Sequence, residues 1–276
     1  KLDQSKVLLL SHMRGHICDM ERLMAMCDAA GVTVIEDCAH TMGAAWNGVP
    51  SGRWGRFGCY STQTYKHINS GEGGFLICDG AEDMARAIML SGSYMLFEKH
   101  RAAPPVETFA KIKYETPNIS GRMDNLRAAI LRPQLRNLAV QCENWNARYR
   151  VLETGLADTV GLRLISRPEK EQFVASSFQF LLLDWNAKAV NEVLTRCAAR
   201  GVELKWFGGA EPKGFTSRYD SWRYAPSVPM PASDRVLAGV VDMRLPLTFS
   251  LEDCALLARI IRAEVSTVYQ GQAAAE

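Results

Sequence analysis

Over its first ninety residues the chain alternates short apolar runs with one-sided helical stripes. "KVLLLSH" is an apolar run that ends in polar residues, and "VTVIED" is a second that ends in two acids. "GCYST" and "GGFLICD" are two more. Runs this short, closed by polar or glycine punctuation, read as buried strands. Between the first two, Met20, Leu23, Met24 and Cys27 recur at i, i+3, i+4 and i+7, which sets them on one helix face. Met26 is assigned to the core beside them. Asp19 is placed to cap this helix and Gly31 to stop it. "AEDMARAIML" predicts a further helix. Alternation of this kind predicts an α/β fold, a mostly parallel sheet with helices on both faces. In such sheets ligands lie beyond the C-terminal ends of the strands.

The pattern then changes. Residues 91–120 are irregular and contain Pro104, Pro105 and Pro117. "MDNLRAAILRPQLRNL" predicts a helix bent or broken near Pro133. The helix after it carries Trp145, Tyr149, Leu152 and Leu156 on one stripe and bridges to a second domain. "GLRLI", "SFQFLLLD" and "VELKW" read as strands, and "AKAVNEVLTRCAARG" as a helix with a glycine stop. A polar, aromatic loop covers 208–232; Trp206, Phe207, Trp222 and Tyr224 are expected to pack beneath it. "SLEDCALLARIIRAEVSTVY" closes the chain as a helix whose Ser250 and Asp253 stand in capping-box positions, before a frayed tail "GQAAAE". The expected organisation is a large domain at 1–138, followed by a linker helix and a small α+β domain at 139–276.

Composition adds limits rather than detail. The 276 residues are 47% hydrophobic and 22% charged, with a net charge of +2. That balance suits a large buried core and provides no basic field for nucleic acid or a membrane surface. No apolar run approaches the roughly 18 to 20 residues that span a bilayer. No signal-peptide pattern opens the chain, so a cytoplasmic location is expected. The eight cysteines lack CxxC spacing and read as free thiols of a reducing compartment. The five histidines do not pair with them at ligand spacing, so no metal site is expected. His12 and His16 read as hydrogen-bonded structural residues.

Three positions bear on chemistry. Asp37 ends a core strand, where a half-desolvated carboxylate needs a cation, a cap or an ion pair. Ser61 ends another strand and offers a hydroxyl beside backbone amides. Lys66 follows in the loop "STQTYKHINSGEGG", whose glycines supply a turn with positive φ. Each alone has an ordinary structural explanation. Together, a strand-end acid, a strand-end hydroxyl and a nearby amine are the groups that pyridoxal 5'-phosphate (PLP) requires.

"VIEDCAHTMGA", "STQTYKHINSGEGG" and "PNISGRMDNLRAAILRPQL" in series resemble the DegT/DnrJ/EryC1/StrS aminotransferases, PLP enzymes of the aspartate-aminotransferase fold that act on keto-sugars and cyclitols. The resemblance runs from about residue 5 to about 265. It implies Lys66 as the Schiff-base lysine and Asp37 as the partner of the pyridinium nitrogen. It implies Ala39 against the ring, His40 near the phenolic oxygen and Ser61 at the phosphate. Asn118 would reach the phosphate of a neighbouring subunit in a homodimer. The family has its asparagine two residues before the "RM" dipeptide; here Asn118 stands four before Arg122, and Ser120 stands two before. The family also carries, ahead of the first strand seen here, a Gly-Thr turn that cradles the phosphate and an aromatic residue that stacks on the ring. The resemblance therefore implies a sheet that lacks its early strands, exposes apolar surface and binds PLP weakly on its own.

The implied reaction moves an amino group from an amino acid, glutamate or glutamine, to a nucleotide-linked keto-sugar or a cyclitol. Two alternatives remain open. One is a sugar dehydratase of the same fold, whose relatives carry histidine where Lys66 stands. The other is a non-catalytic homologue with a regulatory or scaffolding role.

Overall fold

The computed structural model describes residues 4–93, 95–211, 219–224 and 226–273. The chain divides into two compact units, 1–142 with 169–174, and 143–168 with 175–276.

The first unit is built on β1 (Val7–Ser11), α1 (Met20–Ala29) and β2 (Thr33–Asp37). Two short strands follow, β3 (Ala45–Trp46) and β4 (Val49–Pro50), then β5 (Phe57–Ser61) and β6 (Gly74–Ile77). The main sheet has the order β1-β2-β5-β6. β1, β2 and β5 run parallel, and β6 returns antiparallel to β5. The return has a simple cause: only residues 62–73 join β5 to β6, and no helix forms there to carry a crossover. Helices α2 (Ala81–Leu90) and α3 (Val106–Ile112) pack together through Ala85, Ile88, Met89, Phe109 and Ile112. α4 (Asn125–Arg136) runs through Pro133 without interruption, and the helical path breaks at Asn137 instead. α5 (Leu138–Leu156) follows, and the division between the units falls within it. After β7 (Arg163–Leu164), β8 (Glu171–Gln172) rejoins the first unit and pairs with β3.

The two faces of the main sheet differ. One carries Leu8, Leu10 and Val34, which pack with Leu23, Met24 and Cys27 of α1. Further along the same face Tyr60 and Phe75 pack against Met42, Ile68 and Leu131. Asp19 caps α1 by accepting from Arg22 N–H at 3.1 Å. Met26 is not core: it lies off the apolar stripe and is 51% exposed. By strand alternation the other face carries Val7, Leu9, Ser11, Ile35, Asp37, Cys59, Ser61 and Leu76. Here Val7, Leu9 and Leu76 are 53%, 66% and 42% exposed.

The second unit contains β9 (Ser177–Leu181), α6 (Ala187–Ala199), β10 (Lys205–Trp206), α7 (Pro231–Leu237), β11 (Val240–Arg244) and α8 (Leu251–Ala273). Its antiparallel sheet has the order β10-β11-β9-β7. Phe178 and Phe180 fill one face, with the Tyr149 ring tilted 51° against Phe178 at 5.0 Å. The capping box forms: Asp253 N–H donates to Ser250 Oγ at 3.0 Å, and Ser250 N–H to Asp253 Oδ2 at 2.8 Å. α8 continues through 271–273, so the start of the tail is helical; residues 274–276 lie outside the described set. Trp206 and Phe207 are buried, but Trp222 and Tyr224 stack on each other near the surface. Residues 212–218 and 225 of that loop, and Tyr94 of the earlier irregular stretch, lie outside the described residues. Among the described residues no helix is long and apolar enough to cross a membrane.

Candidate active site

Register brings three polar side chains together on the open face. Ser11 lies opposite Asp37, and Asp37 opposite Cys59. Ser61, two residues beyond Cys59, points the same way. All three stand at the C-terminal ends of parallel strands, where a ligand crevice is expected. Ser11 Oγ donates to Asp37 Oδ2 at 2.9 Å, and Ala39 N–H donates to Asp37 Oδ1 at 3.0 Å. The Asp37 carboxylate is therefore held at both oxygens while staying half-buried.

Lys66 lies in the connection that leaves Ser61. Backbone bonds fold this connection on itself: Thr62 N–H to Gly73 O at 2.9 Å, Ser70 N–H to Thr62 O at 3.0 Å, and Thr64 N–H to Gly71 O at 3.0 Å. Gly71 and Gly73 have φ of 86° and 132°, the conformations for which the "GEGG" turn needs glycine. Ile68 is buried against Met42 and Leu131. Asn69 exchanges two backbone bonds with the Gln134 side chain of α4, at 2.8 and 3.0 Å. Lys66 is half-buried on a loop fixed at both ends.

His40 defines the electrostatics. Its Nδ1 accepts from Arg14 N–H at 3.0 Å, so a neutral ring carries its proton on Nε2. Burial, then the Lys66 and Arg14 charges, push His40 down to about 3 against the pull of Asp37. His67 is pushed down to about 4 by burial and by Lys66. Both imidazoles are neutral near pH 7. The Lys66 and Asp37 charges thus act on His40 in opposite directions.

Behind the sheet, Glu36 is sealed on the covered face. It accepts from Gly52, Trp54 and Gly55 N–H at 2.7–2.8 Å and meets His12 Nε2 at 3.0 Å. Burial works to raise its carboxyl, but these four donors outweigh it and hold Glu36 below the usual carboxylate range. His12 is the hydrogen-bonded structural residue that its position suggested. Cys38 comes close enough to complete a His12, Glu36, Cys38 cluster, a grouping hidden in the sequence because His12 follows β1 while Glu36 and Cys38 stand at the end of β2. The cluster ties the 52–55 turn to the end of β2. Its carboxylate oxygens already hold four donors, and burial pushes the Cys38 thiol up to about 12.

Asn118 is not gathered with the others. It is exposed, and its Oδ1 accepts from Ser120 N–H at 2.9 Å. The segment is tied to the end of α2 through Ile119 N–H to Leu90 O and Arg122 to Ser91 O and Gly92 O. Ser11 and Arg14 were missed in the sequence. Ser11 looks like the end of an apolar strand, and Arg14 acts through its backbone, which no side-chain pattern records.

The DegT/DnrJ/EryC1/StrS aminotransferase family model matches residues 3–262. The chain belongs to this family. It is 30% identical over 142 residues to the L-glutamine:2-deoxy-scyllo-inosose aminotransferase of Streptomyces lividus, covering 50% of this chain and 32% of that protein. It is 24% identical over 237 residues to the dTDP-3-amino-3,4,6-trideoxy-alpha-D-glucose transaminase of Streptomyces venezuelae, covering 79% and 56%. The fold matches the aminotransferase TlmJ of Streptoalloteichus hindustanus with a TM-score of 0.79 at 19% identity, over 96% of this chain and 67% of that one. The chain spans about half the length of the curated relatives it matches.

Proposed function

We propose that this chain carries the lysine-bearing part of a PLP-dependent aminotransferase that moves an amino group from an amino acid, glutamate or glutamine, to a nucleotide-linked keto-sugar or a cyclitol. The observation that carries the proposal is the shared open face: Ser11, Asp37 and Ser61 on adjacent strand ends, with Lys66 electrically coupled to His40 beside them. The donor set fits PLP. Asp37 provides an anion for a pyridinium nitrogen, His40 Nε2 an N–H for a phenolic oxygen, Ser61 a hydroxyl for a phosphate, and Lys66 an amine for an aldehyde.

When bound, the cofactor supplies an electron sink that makes the substrate C–H bond acidic. Lys66 Nζ would be the amine that holds its aldehyde and, when free, the base that could carry a proton to and from the substrate carbon. Asp37 would hold the ring nitrogen as its anionic partner, with both oxygens already fixed by Ser11 and Ala39. Ala39 provides a small apolar surface next to Asp37, suited to packing under a flat ring. Asn118, exposed on a braced segment, supports a role toward the phosphate of a second copy, and a homodimer goes with it. Lys66 favours amino transfer over the dehydratase reading, whose relatives carry histidine there. The three intact polar groups favour an enzyme over a scaffold. A cytoplasmic location accords with eight free thiols.

The test is borohydride trapping with added PLP, followed by an amino-transfer assay with L-glutamine and a keto-sugar nucleotide. The expected result is a reduced PLP adduct on Lys66 and formation of the amino sugar. An adduct spread over surface lysines would sink the assignment.

A further inference from the structure

We propose that Ser11 is a positioning residue that fixes the plane of the Asp37 carboxylate for the cofactor; this rests on the PLP reading above. β1 presents Val7, Leu9 and Ser11 on the open face, and the first two are apolar and exposed. A third apolar residue would continue the stripe. A hydroxyl stands there instead, 2.9 Å from Asp37 Oδ2.

A carboxylate at a strand end turns easily about its last bond. Ala39 N–H restrains one oxygen, at 3.0 Å, and that bond alone leaves the other free to swing. The Ser11 hydroxyl removes this freedom. Its own position is set by the turn that follows. His12 N–H donates to Asp37 O at 3.1 Å, and the His12 ring bonds Glu36 on the opposite face. Arg14 adopts φ 58°, which turns its N–H toward His40 Nδ1. Gly15 follows at φ 79°, where a Cβ would come within 2.9 Å of Val174 O and 3.2 Å of His40 O. One turn, residues 11–15, thus holds Asp37 by a side chain and His40 by a backbone N–H. A merely structural serine would have no reason to spend its hydroxyl on the acid that faces the ligand side.

The test is a PLP titration of the whole chain and its Ser11→Ala and Ser11→Thr variants, read by visible absorbance, by the yield of borohydride adduct on Lys66, and by thermal midpoint. Losing one hydrogen bond to a charged group is expected to weaken PLP binding about tenfold in Ser11→Ala. The thermal midpoint without PLP is expected to hold, and Ser11→Thr, which keeps the hydroxyl, to recover most of the binding. Two results overturn the inference alone: Ser11→Ala binding PLP like the parent, or both variants losing binding together with a lowered midpoint. Absence of any Lys66 adduct in the parent chain overturns the PLP reading, and the role of Ser11 with it.

Discussion

Glu36 and Asp37 are neighbours on β2 and point to opposite faces of the same sheet. Glu36 faces α1 and the 52–55 loop, is fully buried, and spends both oxygens on four donors. Asp37 faces the open side, is half-buried, and holds two donors, one at each oxygen. The residue type and charge barely differ. What separates the two acids is the number of donors already in place and the side left open. A saturated carboxylate holds backbone together, whereas a restrained, unsaturated one can still meet a cation.

The sharpest way to break this contrast is through the amine that completes the open side. Lys66→Ala is expected to abolish both the PLP adduct and amino transfer, measured by mass spectrometry after borohydride and by turnover. Retention of either would remove Lys66 from the chemistry, and with it the reason to read the open face as an active site. Asp37→Ala comes next. It removes the preorganised anion, so turnover is expected to fall by about a hundredfold while the urea midpoint barely moves. A large loss of stability would make Asp37 a second structural acid and dissolve the comparison.

Glu36→Gln tests the other half. Gln keeps the shape but substitutes an NH₂ for one accepting oxygen, against donors already in place. Leaving buried donors short of their acceptor is expected to cost about 3 kcal/mol of stability, read from urea unfolding. An unchanged midpoint would show that the 52–55 loop is held by packing alone.

Much of this contrast was legible in the sequence, and the illegible part has a physical reason. The parallel strands, the α1 stripe and the Asp37, Ser61, Lys66 set are local patterns that hydrophobic period and turn chemistry record. β6 reads as a strand, but its antiparallel direction depends on what 62–73 does, which no run of residues states. β11 and α7 escaped because "VVDMR" and "PASDRVL" adjoin a polar loop that masked their pattern. Glu36 reads in the sequence only as one of the two acids that end the strand. Its role emerges only when Gly52, Trp54 and Gly55, sixteen to nineteen residues on, fold back to offer their N–H groups.

The smallest effect is spread over pH, and it separates the two sides once more. His67 sits at about 4 in the folded chain, against about 6.5 unfolded. Between these values the unfolded chain binds a proton that the folded one refuses. Stability therefore rises with pH through this window by at most about 1.4 kcal/mol per unit, and gains nothing further above it. His40, sitting at about 3, acts in the same direction over a wider window. Glu36 is also depressed, but from a carboxylate value, so its contribution is complete above roughly pH 4.5 and is lost only as pH falls below that. Urea midpoints from pH 4 to 8 are expected to climb until about pH 6.5 and then level. His67→Gln, neutral throughout, is expected to flatten the upper part of the climb, and Glu36→Gln only the acid end. If His67→Gln leaves the slope between pH 5 and 6.5 intact, the imidazole beside Lys66 is not held neutral. The charge of Lys66 would then be screened from the loop it lies on.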